Sequence, residues 1–255
     1  MAEFTVTGYS TWPPALVDII NRHADVFKPL TEEQEEAKKY DFKNAGADAR
    51  RYDVAIAEIV GELRKHCVRG YHCSRLTEPE IVALRAKGMA VPDIGLLRSR
   101  IDTLEQEDLI PSALASRLRE ENQAADQFRR GLWFMFYNPS TLDQGDTERF
   151  FRSWGGEALY NSHEDDPETG PLLRQLGMPV LIEALVPLND LHNITSLADK
   201  MAKFYHGALS REHADHEGPI DKALPAEALT AFHARSSAEF SQLTGCNAWD
   251  PPLAP

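Results

Sequence analysis

The sequence predicts an α+β fold in which helices are in the majority. Short apolar runs with β-branched or aromatic residues lie at residues 67–73, 132–137 and 180–186, and turn residues bound them, which is typical of buried strands. The longer stretches between them repeat apolar residues at three- and four-residue spacing, as amphipathic helices do. We expect two small β-sheets packed against each other, with these three runs as central strands.

Residues 1–66 are predicted to form an N-terminal helical segment. Thr31 and Gln34 have the spacing of a capping box, in which the two side chains satisfy the first backbone N–H groups of a helix. Further along, one set of apolar residues marks a single buried helix face: Ile56, Ile59, Val60 and Leu63.

A strand followed by a capped helix is predicted from residue 67 onward. Cys67–Cys73 runs almost directly into Thr77 and Glu80, which form a second capping box. Gly88 supplies the end of that helix, because glycine readily adopts the left-handed conformation found there. The predicted unit is therefore strand, tight connection, helix and glycine stop.

A helical insertion over residues 93–130 separates this first strand from the second. The second and third strands are Leu132–Tyr137 and Val180–Val186, and both consist of apolar residues that suit a protein core. The remaining elements are a helix around Leu197, a helix over residues 225–240 and a C-terminal tail over residues 246–255, of which residues 250–255 are expected to be frayed.

Composition and charge argue against several classes of protein. The 255 residues carry 40 Asp and Glu against 27 Lys and Arg, and this net charge of −13 disfavours binding to nucleic acid or to an anionic membrane. The 3 cysteines lack C-x-x-C spacing and do not suit a disulfide framework or a zinc finger. The sequence shows no apolar run of transmembrane length and no signal-peptide pattern, so we expect no membrane contact. The cysteine usage fits a reducing cytoplasm best.

One pair of histidines invites a metal-site interpretation. His213-Ala-Asp-His216 places two imidazoles one helical turn apart. Zinc needs a third and a fourth ligand, and the pattern is not the H-E-x-x-H of zinc proteases. We therefore expect a solvated loop at this position and no metal.

Three segments together resemble a known family. They are Tyr71-His-Cys-Ser-Arg75, Gly156-Glu-Ala-Leu-Tyr-Asn-Ser162 and Pro179–Asn189. In this order they resemble the W-H-G-S-R segment, the G-x-G-[IL]-Y-[FL]-[AS] segment and the following core strand of the ADP-ribosyltransferase superfamily, in its poly(ADP-ribose)-polymerase-like and diphtheria-toxin-like (His-Tyr-Glu) branch. Cys73 stands where the family usually has glycine. The resemblance implies a split β-sandwich domain, which we place at residues 67–245.

The resemblance implies an NAD site that needs no metal. In the family, a histidine on the first strand holds a ribose hydroxyl and a tyrosine stacks on the nicotinamide ring. These two roles fall on His72 and Tyr160. The residues around them are then expected to contact NAD: Cys73, Ser74, Arg75, Gly156 and Ser162.

A catalytic glutamate completes the implied site. The glycosidic bond of NAD breaks through an oxocarbenium-like transition state, which a carboxylate stabilises. Glu217 is the first candidate, because its segment resembles the E-x-x-I-x-x-x-[IL]-P-x-E ending of several ADP-ribosyltransferases. Glu183 in the core strand is the second. Glu157 precedes Tyr160 and matches no catalytic position of the family.

The implied activity is mono-ADP-ribosylation of a macromolecule by a bacterial toxin or defence effector. The net charge favours a protein acceptor over a nucleic acid. Two alternatives remain open. In an NAD glycohydrolase, water replaces the acceptor, and Arg152–Tyr160 is similar to a W-x-x-x-G-x-x-x-Y-like segment of the RES-type toxins. A catalytically inactive relative would instead bind NAD, ADP-ribose or a protein partner.

Overall fold

A computed structural model of the protein describes residues 3–29, 45–126, 131–141, 144–210 and 216–253. The helices are α1 (Pro14–Arg22), α2 (Ala24–Phe27), α3 (Ala45–Leu63), α4 (Glu78–Lys87), α5 (Ile94–Gln106), α6 (Ser112–Glu120), α7 (Gln144–Arg152), α8 (Glu157–His163), α9 (Thr169–Gln175), α10 (Ile194–Tyr205) and α11 (Ala238–Thr244). The strands are β1 (Glu3–Phe4), β2 (Cys67–Leu76), β3 (Leu132–Met135), β4 (Met178–Pro187), β5 (Glu217–Ile220) and β6 (Leu229–Ala234).

These elements confirm the α+β class, but the described strands form one sheet where we predicted two. The strand order is β5-β3-β2-β4-β6, and β1 pairs with β2. The three predicted strands are β2, β3 and β4, and they occupy the centre of this sheet as expected. Because they pair edge to edge with one another, their backbone groups are satisfied within a single sheet.

The strand pairing overturns part of the predicted helix over residues 225–240. Residues 229–234 form β6, which pairs antiparallel with β4 so that Leu181 lies opposite His233. A helix begins only at Ala238, where the Ser237 side chain accepts a hydrogen bond from the backbone N–H of Phe240. Backbone pairing with the buried strand β4 outweighs the local helix preference of this segment.

The predicted helical insertion is two helices, α5 and α6. The chain breaks between them at Asp108, a non-glycine residue with a φ of 55°, and at Pro111, which precedes α6. Apolar side chains of both helices pack in one buried cluster with residues that come later in the chain: Leu97, Ile101, Leu104, Leu118, Trp154, Leu159, Leu173 and Leu176.

A second buried cluster packs against strands of the sheet. It joins Cys73, Met135 and Leu181 to two phenylalanines, whose rings meet edge to face with 5.0 Å between their centroids: Phe151 and Phe240. The C-terminal tail contributes to this cluster, since Cys246, Trp249 and Leu253 are all buried. The prediction that residues 250–255 are frayed is therefore wrong for Leu253. Burial of these apolar side chains stabilises the folded state by more free energy than the ordering of the chain end costs in conformational entropy.

The chain divides into two compact units. The first unit comprises Met1–Arg69 and Leu185–Gly218, and the second comprises Gly70–Ala184 and Pro219–Pro255. In the first unit, α3 packs against α1 and α10. The Tyr52 hydroxyl on α3 donates to Asp199 on α10 at 2.9 Å, and burial together with this carboxylate raises the pKa of Tyr52 to about 12. Within the predicted N-terminal segment, α1, α2 and α3 are helical and β1 is a short strand, while Thr31 and Gln34 lie outside the described residues.

The end of α4 depends on a glycine. Gly88 has a φ of +80°, and a Cβ atom there would lie 2.0 Å from the carbonyl oxygen of Leu224. The neighbouring Met89 exchanges two backbone hydrogen bonds with Leu224, of 2.8 and 2.9 Å. The predicted glycine stop is confirmed, and the close approach explains why no larger residue fits.

The start of α4 depends on the carboxylate of Glu80. The capping box with Thr77 is present, and Glu80 accepts from the Thr77 backbone N–H at 2.7 Å. Glu80 also accepts from the indole N–H of Trp154 at 2.9 Å and from Nε of Arg100 at 2.6 Å. Burial alone would raise the pKa of Glu80, but the Arg100 charge and these hydrogen bonds hold it below its usual range.

We expect Glu80→Gln to lower the free energy of unfolding by about 2–3 kcal/mol, because the variant leaves the partly buried guanidinium of Arg100 without its counter-charge. Denaturation in urea, followed by circular dichroism, measures this loss. Glu78→Gln is the matched control, since Glu78 is an exposed residue in the same helical turn. Equal stability of the two variants would contradict the role given to Glu80.

Candidate functional site

His72 is anchored on β2 through one ring nitrogen. Nδ1 lies 2.9 Å from the backbone carbonyl oxygen of Trp133 on β3. Since a carbonyl oxygen only accepts, Nδ1 carries a proton and donates it to this bond. The ring packs beside Phe134, with 5.8 Å between ring centroids. In the neutral imidazole, Nε2 is then left as a hydrogen-bond acceptor.

The surroundings of His72 favour that neutral form. Burial lowers the pKa of His72, the hydrogen bond to Trp133 offsets part of this effect, and the positive charge of Arg100 lowers the pKa further. Nε2 has no hydrogen-bond partner among the described residues, and the residue is only half-buried by its accessible surface. His72 therefore presents a neutral acceptor nitrogen that a ligand can reach.

The neighbours of His72 on β2 have different environments. Successive side chains of a strand point to opposite faces, so Ser74 shares the face of His72 while Cys73 does not. Cys73 is buried in the cluster that contains Met135 and Phe151. Ser74 is half-buried. Of the two predicted NAD contacts, only Ser74 lies on the face that carries His72.

Arg75 bonds to backbone carbonyl groups. Its side chain is 3% exposed, Nε donates to the carbonyl of Leu176 at 2.7 Å, and Nη1 donates to that of Phe151 at 3.3 Å. Burial lowers the pKa of Arg75. These bonds tie the end of β2 to the ends of α7 and α9, which is a structural role. The resemblance instead implied that Arg75 contacts NAD. The neighbouring residues of the motif are compatible with either role.

Tyr160 lies on α8 and is nearly enclosed. Its hydroxyl donates to Oε1 of Glu157 at 3.2 Å, and Phe150 packs on the ring edge-on with 6.1 Å between centroids. The guanidinium of Arg149 lies over one face of the ring, 4.5 Å from the centroid. That face is the kind of surface on which a nicotinamide ring would stack. The side chain of Arg149 is 45% exposed, and its guanidinium is also ion-paired with Glu164.

Gly156 and Ser162 lie at the two ends of the short helix that carries Tyr160. Gly156 precedes the first helical residue with a φ of +60°, and a Cβ atom there would meet nothing within 4 Å. Ser162 is exposed. Both residues are accessible to a ligand, as their predicted contact with NAD requires.

The three candidate carboxylates occupy different environments. Glu157 accepts the hydrogen bond of Tyr160. Glu183 on β4 is 12% exposed, and its Oε2 lies 3.2 Å from Nε2 of His233 on the paired strand β6. Glu217 is exposed at the first residue of β5, and its backbone carbonyl accepts from the Asn193 side chain at 2.7 Å. Glu217 belongs to the first unit, whereas the other two belong to the second unit with His72.

The sequence did not single out Arg100, although it acts on His72. The guanidinium lies over the ring of Trp154 at 4.6 Å from its centroid and donates through Nε to Glu80. Its Nη2 is buried and has no hydrogen-bond partner among the described residues. No local pattern marks Arg100, because Glu80 and Trp154 are both distant from it in sequence.

Trp133 also departs from expectation. The strand Leu132–Met135 is otherwise buried, as predicted, but the Trp133 side chain is 45% exposed. A tryptophan between leucine and phenylalanine in a short apolar run is typical of a core position, so the sequence carries no signal of this exposure.

The histidine pair is only partly within the described residues. His213 lies outside them, and His216 is buried, with Nε2 at 3.2 Å from the side-chain oxygen of Asn193. The expectation of a solvated loop is therefore wrong for His216, because this hydrogen bond satisfies the imidazole in the interior. Within the described residues, no cluster of three or more His, Cys, Asp or Glu side chains is arranged to hold a metal.

We expect His72→Asn to make the protein less sensitive to acid. Because the pKa of His72 is lowered in the folded state, the unfolded state binds more protons between that pKa and the usual value near 6.5. The wild-type free energy of unfolding therefore falls as pH falls through this window. Asparagine does not titrate and keeps a donor for the Trp133 carbonyl. Urea denaturation at pH 7.5 and pH 5 compares the two proteins, and an equal decrease in both contradicts the lowered pKa.

Among the described residues, none of the helices has the length and apolar character that crossing a lipid bilayer requires. Comparison with known proteins found no family model that matches the chain, and no curated protein or solved structure that is significantly similar to it.

Proposed function

We propose that the protein cleaves the nicotinamide–ribose bond of NAD and transfers the ADP-ribose to a macromolecular acceptor, as a mono-ADP-ribosyltransferase. The observation that carries the proposal is the state of His72. It lies on the central strand β2, within the segment that resembles the family motif, with Nδ1 bonded to Trp133. Nε2 is left as an acceptor for a hydroxyl group, which is the role of this histidine in the family.

The neutral state of His72 suits the chemistry of the proposed reaction. A protonated imidazole would donate from both nitrogens and would repel the oxocarbenium-like cation that develops as the bond breaks. Burial and the charge of Arg100 both disfavour protonation. His72 therefore binds the sugar without adding positive charge beside the reacting carbon.

A carboxylate is needed to stabilise that cation, and we propose Glu217 for this role. Its segment resembles the family ending, and its side chain is exposed at the start of β5. Glu183 is the second candidate. It is less suited, because its carboxylate is already within hydrogen-bonding distance of His233.

Tyr160 is proposed to stack on the nicotinamide ring. The proposal requires either that Arg149 leave the ring face that it covers or that the nicotinamide use the opposite face. The first route breaks a cation–π contact, which contributes about 0.5–1 kcal/mol at an exposed site, and an exposed ion pair with Glu164, which contributes about 0–1 kcal/mol.

A second candidate function is binding of NAD or ADP-ribose without turnover. The observation that favours it is that Tyr160 and Glu157 are bonded to each other, and Glu183 is bonded to His233. A protein that uses these groups for its own structure retains His72 for binding and has no catalytic carboxylate if Glu217 does not fill that role.

The proposed acceptor follows from the net charge of the protein, and its proposed biological role follows from the family resemblance. The net charge of −13 favours a protein acceptor over a nucleic acid. We propose a bacterial toxin or defence effector that acts in the cytoplasm and uses NAD as a co-substrate without a metal.

We expect the purified protein to release nicotinamide from NAD and His72→Ala to reduce this turnover about 100-fold or more, the scale of a lost transition-state contact. Turnover and thermal melting are measured on the same samples, so that loss of activity is separated from loss of folding. His192→Ala is the matched control, because His192 is exposed and lies in the first unit.

The products of the same incubation distinguish the proposed functions. Labelled ADP-ribose attached to a protein supports the transferase. Free ADP-ribose without labelled protein identifies a glycohydrolase, and binding without either product identifies the inactive module. Full turnover by His72→Ala would overturn the assignment of His72.

We expect Glu217→Gln to reduce turnover about 100-fold, because glutamine keeps the shape of the side chain and removes the charge that the cation needs. Glu183→Gln and Glu157→Gln are prepared in parallel and are expected to keep most of the activity. If Glu217→Gln is fully active and Glu183→Gln is not, the catalytic role belongs to Glu183.

A further inference from the structure

Strand β6 lies at one edge of the sheet, with β4 on one side and no described strand on the other. Proteins commonly protect such edges with proline, with charged side chains or with very short strands, because unpaired backbone groups attract another strand. The opposite edge follows this rule, since β5 has 4 residues and contains Pro219. Strand β6 has 6 residues, and none of them is proline, lysine, arginine, aspartate or glutamate. Its sequence therefore leaves this edge unprotected.

The register of β6 shows which backbone groups face the open edge. The N–H of Arg235 donates to the carbonyl of Pro179, its opposite residue, at 3.0 Å. In an antiparallel ladder, such hydrogen-bonded pairs alternate with pairs whose backbone groups point away from each other. Ala234 and Phe232 belong to the second kind of pair with β4, and the register shift lies on the N-terminal side of residue 231. Their N–H groups therefore point to the open edge, where no described residue accepts from them.

Two arginines that have no ion pair among the described residues flank this edge. The guanidinium of Arg85 on α4 lies over the ring of Phe232, 5.0 Å from its centroid. Arg235 directly follows β6, its Nη1 donates to Ser241 at 3.4 Å, and its buried Nε has no partner among the described residues. Side chains alternate along a strand, so Phe232 and Arg235 lie on opposite faces of the sheet. A strand added to β6 would therefore meet one positive charge on each face.

We propose that β6 is a docking site for an extended, acidic segment of a partner protein, which adds to the sheet as a further strand. Its backbone carbonyls accept from the N–H groups of Phe232 and Ala234, as in other cases of strand addition. Its carboxylates pair with Arg85 and Arg235, which requires acidic residues an odd number of positions apart. A second copy of this chain fits less well, because two-fold pairing centred on Phe232 brings the like charges of both Arg85 side chains to one face. The inference goes beyond the proposed function and stands without it.

The probe is a phage-displayed library of random linear peptides, selected against the full chain. We expect the selected peptides to combine β-branched residues with Asp or Glu at odd spacing. The best binder is then synthesised with a single N-methyl group at each position in turn, and its affinity is measured by calorimetry. In strand addition, every second N–H pairs with β6, so methylation there weakens binding about 10-fold or more, while methylation of the residues between has little effect. A library without binders, or a response without this alternation, overturns the proposal.

Variants of the protein locate the bound peptide. Ala234→Pro removes an outward N–H that the pairing with β4 does not use, and we expect it to weaken binding about 10-fold. Ala234→Ser keeps the N–H and is the matched control. Arg85→Gln and Arg235→Gln are expected to weaken binding about 2- to 5-fold each, the scale of an exposed ion pair, whereas Arg98→Gln changes an exposed arginine on α5 and is their control.

Thermal melting of each variant separates weaker binding from loss of folding, and the arginine variants decide if Ala234→Pro does not fold. Wild-type affinity in Ala234→Pro, or in both arginine variants, places the peptide elsewhere and overturns the assignment to β6. Sedimentation equilibrium tests the other occupant. A wild-type dimer that Ala234→Pro disrupts would make a second copy the occupant and overturn the peptide proposal, and we expect a monomer.

Discussion

The carboxylate of Glu80 organises the second unit because separate stretches of chain share it as an acceptor. It closes the cap of α4 through Thr77, satisfies the buried indole of Trp154 and orients the guanidinium of Arg100. Each of these donors would be costly to leave unpaired in the interior. The same carboxylate therefore sets where β2 gives way to a helix and where α5 lies. The strand that carries His72, β2, ends just before Thr77.

The parts of the fold that could be predicted from sequence are those governed by neighbouring residues. The capping box of Thr77 and Glu80 and the glycine stop at Gly88 involve residues within one helix, and the structure shows both. Strand pairing is not local. The sequence gives no sign that the three apolar runs share one sheet, or that residues 229–234 pair with β4 and form a strand. Pairing energy from a distant partner decides both outcomes.

In the candidate site, too, local structure could be predicted from the sequence, whereas contacts with distant residues could not. The sequence placed His72 on a strand, and the structure agrees. It could not show that Arg75 bonds to backbone carbonyls, that Arg149 covers the Tyr160 ring or that Arg100 keeps an unpaired N–H group. A residue type shows which hydrogen bonds a side chain is able to make, but the fold determines how many of them are already used. The donors and acceptors that the fold leaves unused are the ones that a ligand encounters.

The burial of Trp249 and Leu253 has a consequence for folding during synthesis. Both side chains belong to the cluster that includes Cys73 and Met135 on the central strands. A nascent chain translated only as far as β6 carries the strands of the sheet but lacks the side chains that close one of its cores. Because a domain generally folds as a unit, the second unit is expected to reach its native packing only after residue 253 has left the ribosome. Until then, the apolar surface around Phe151 and Phe240 is exposed to chaperones.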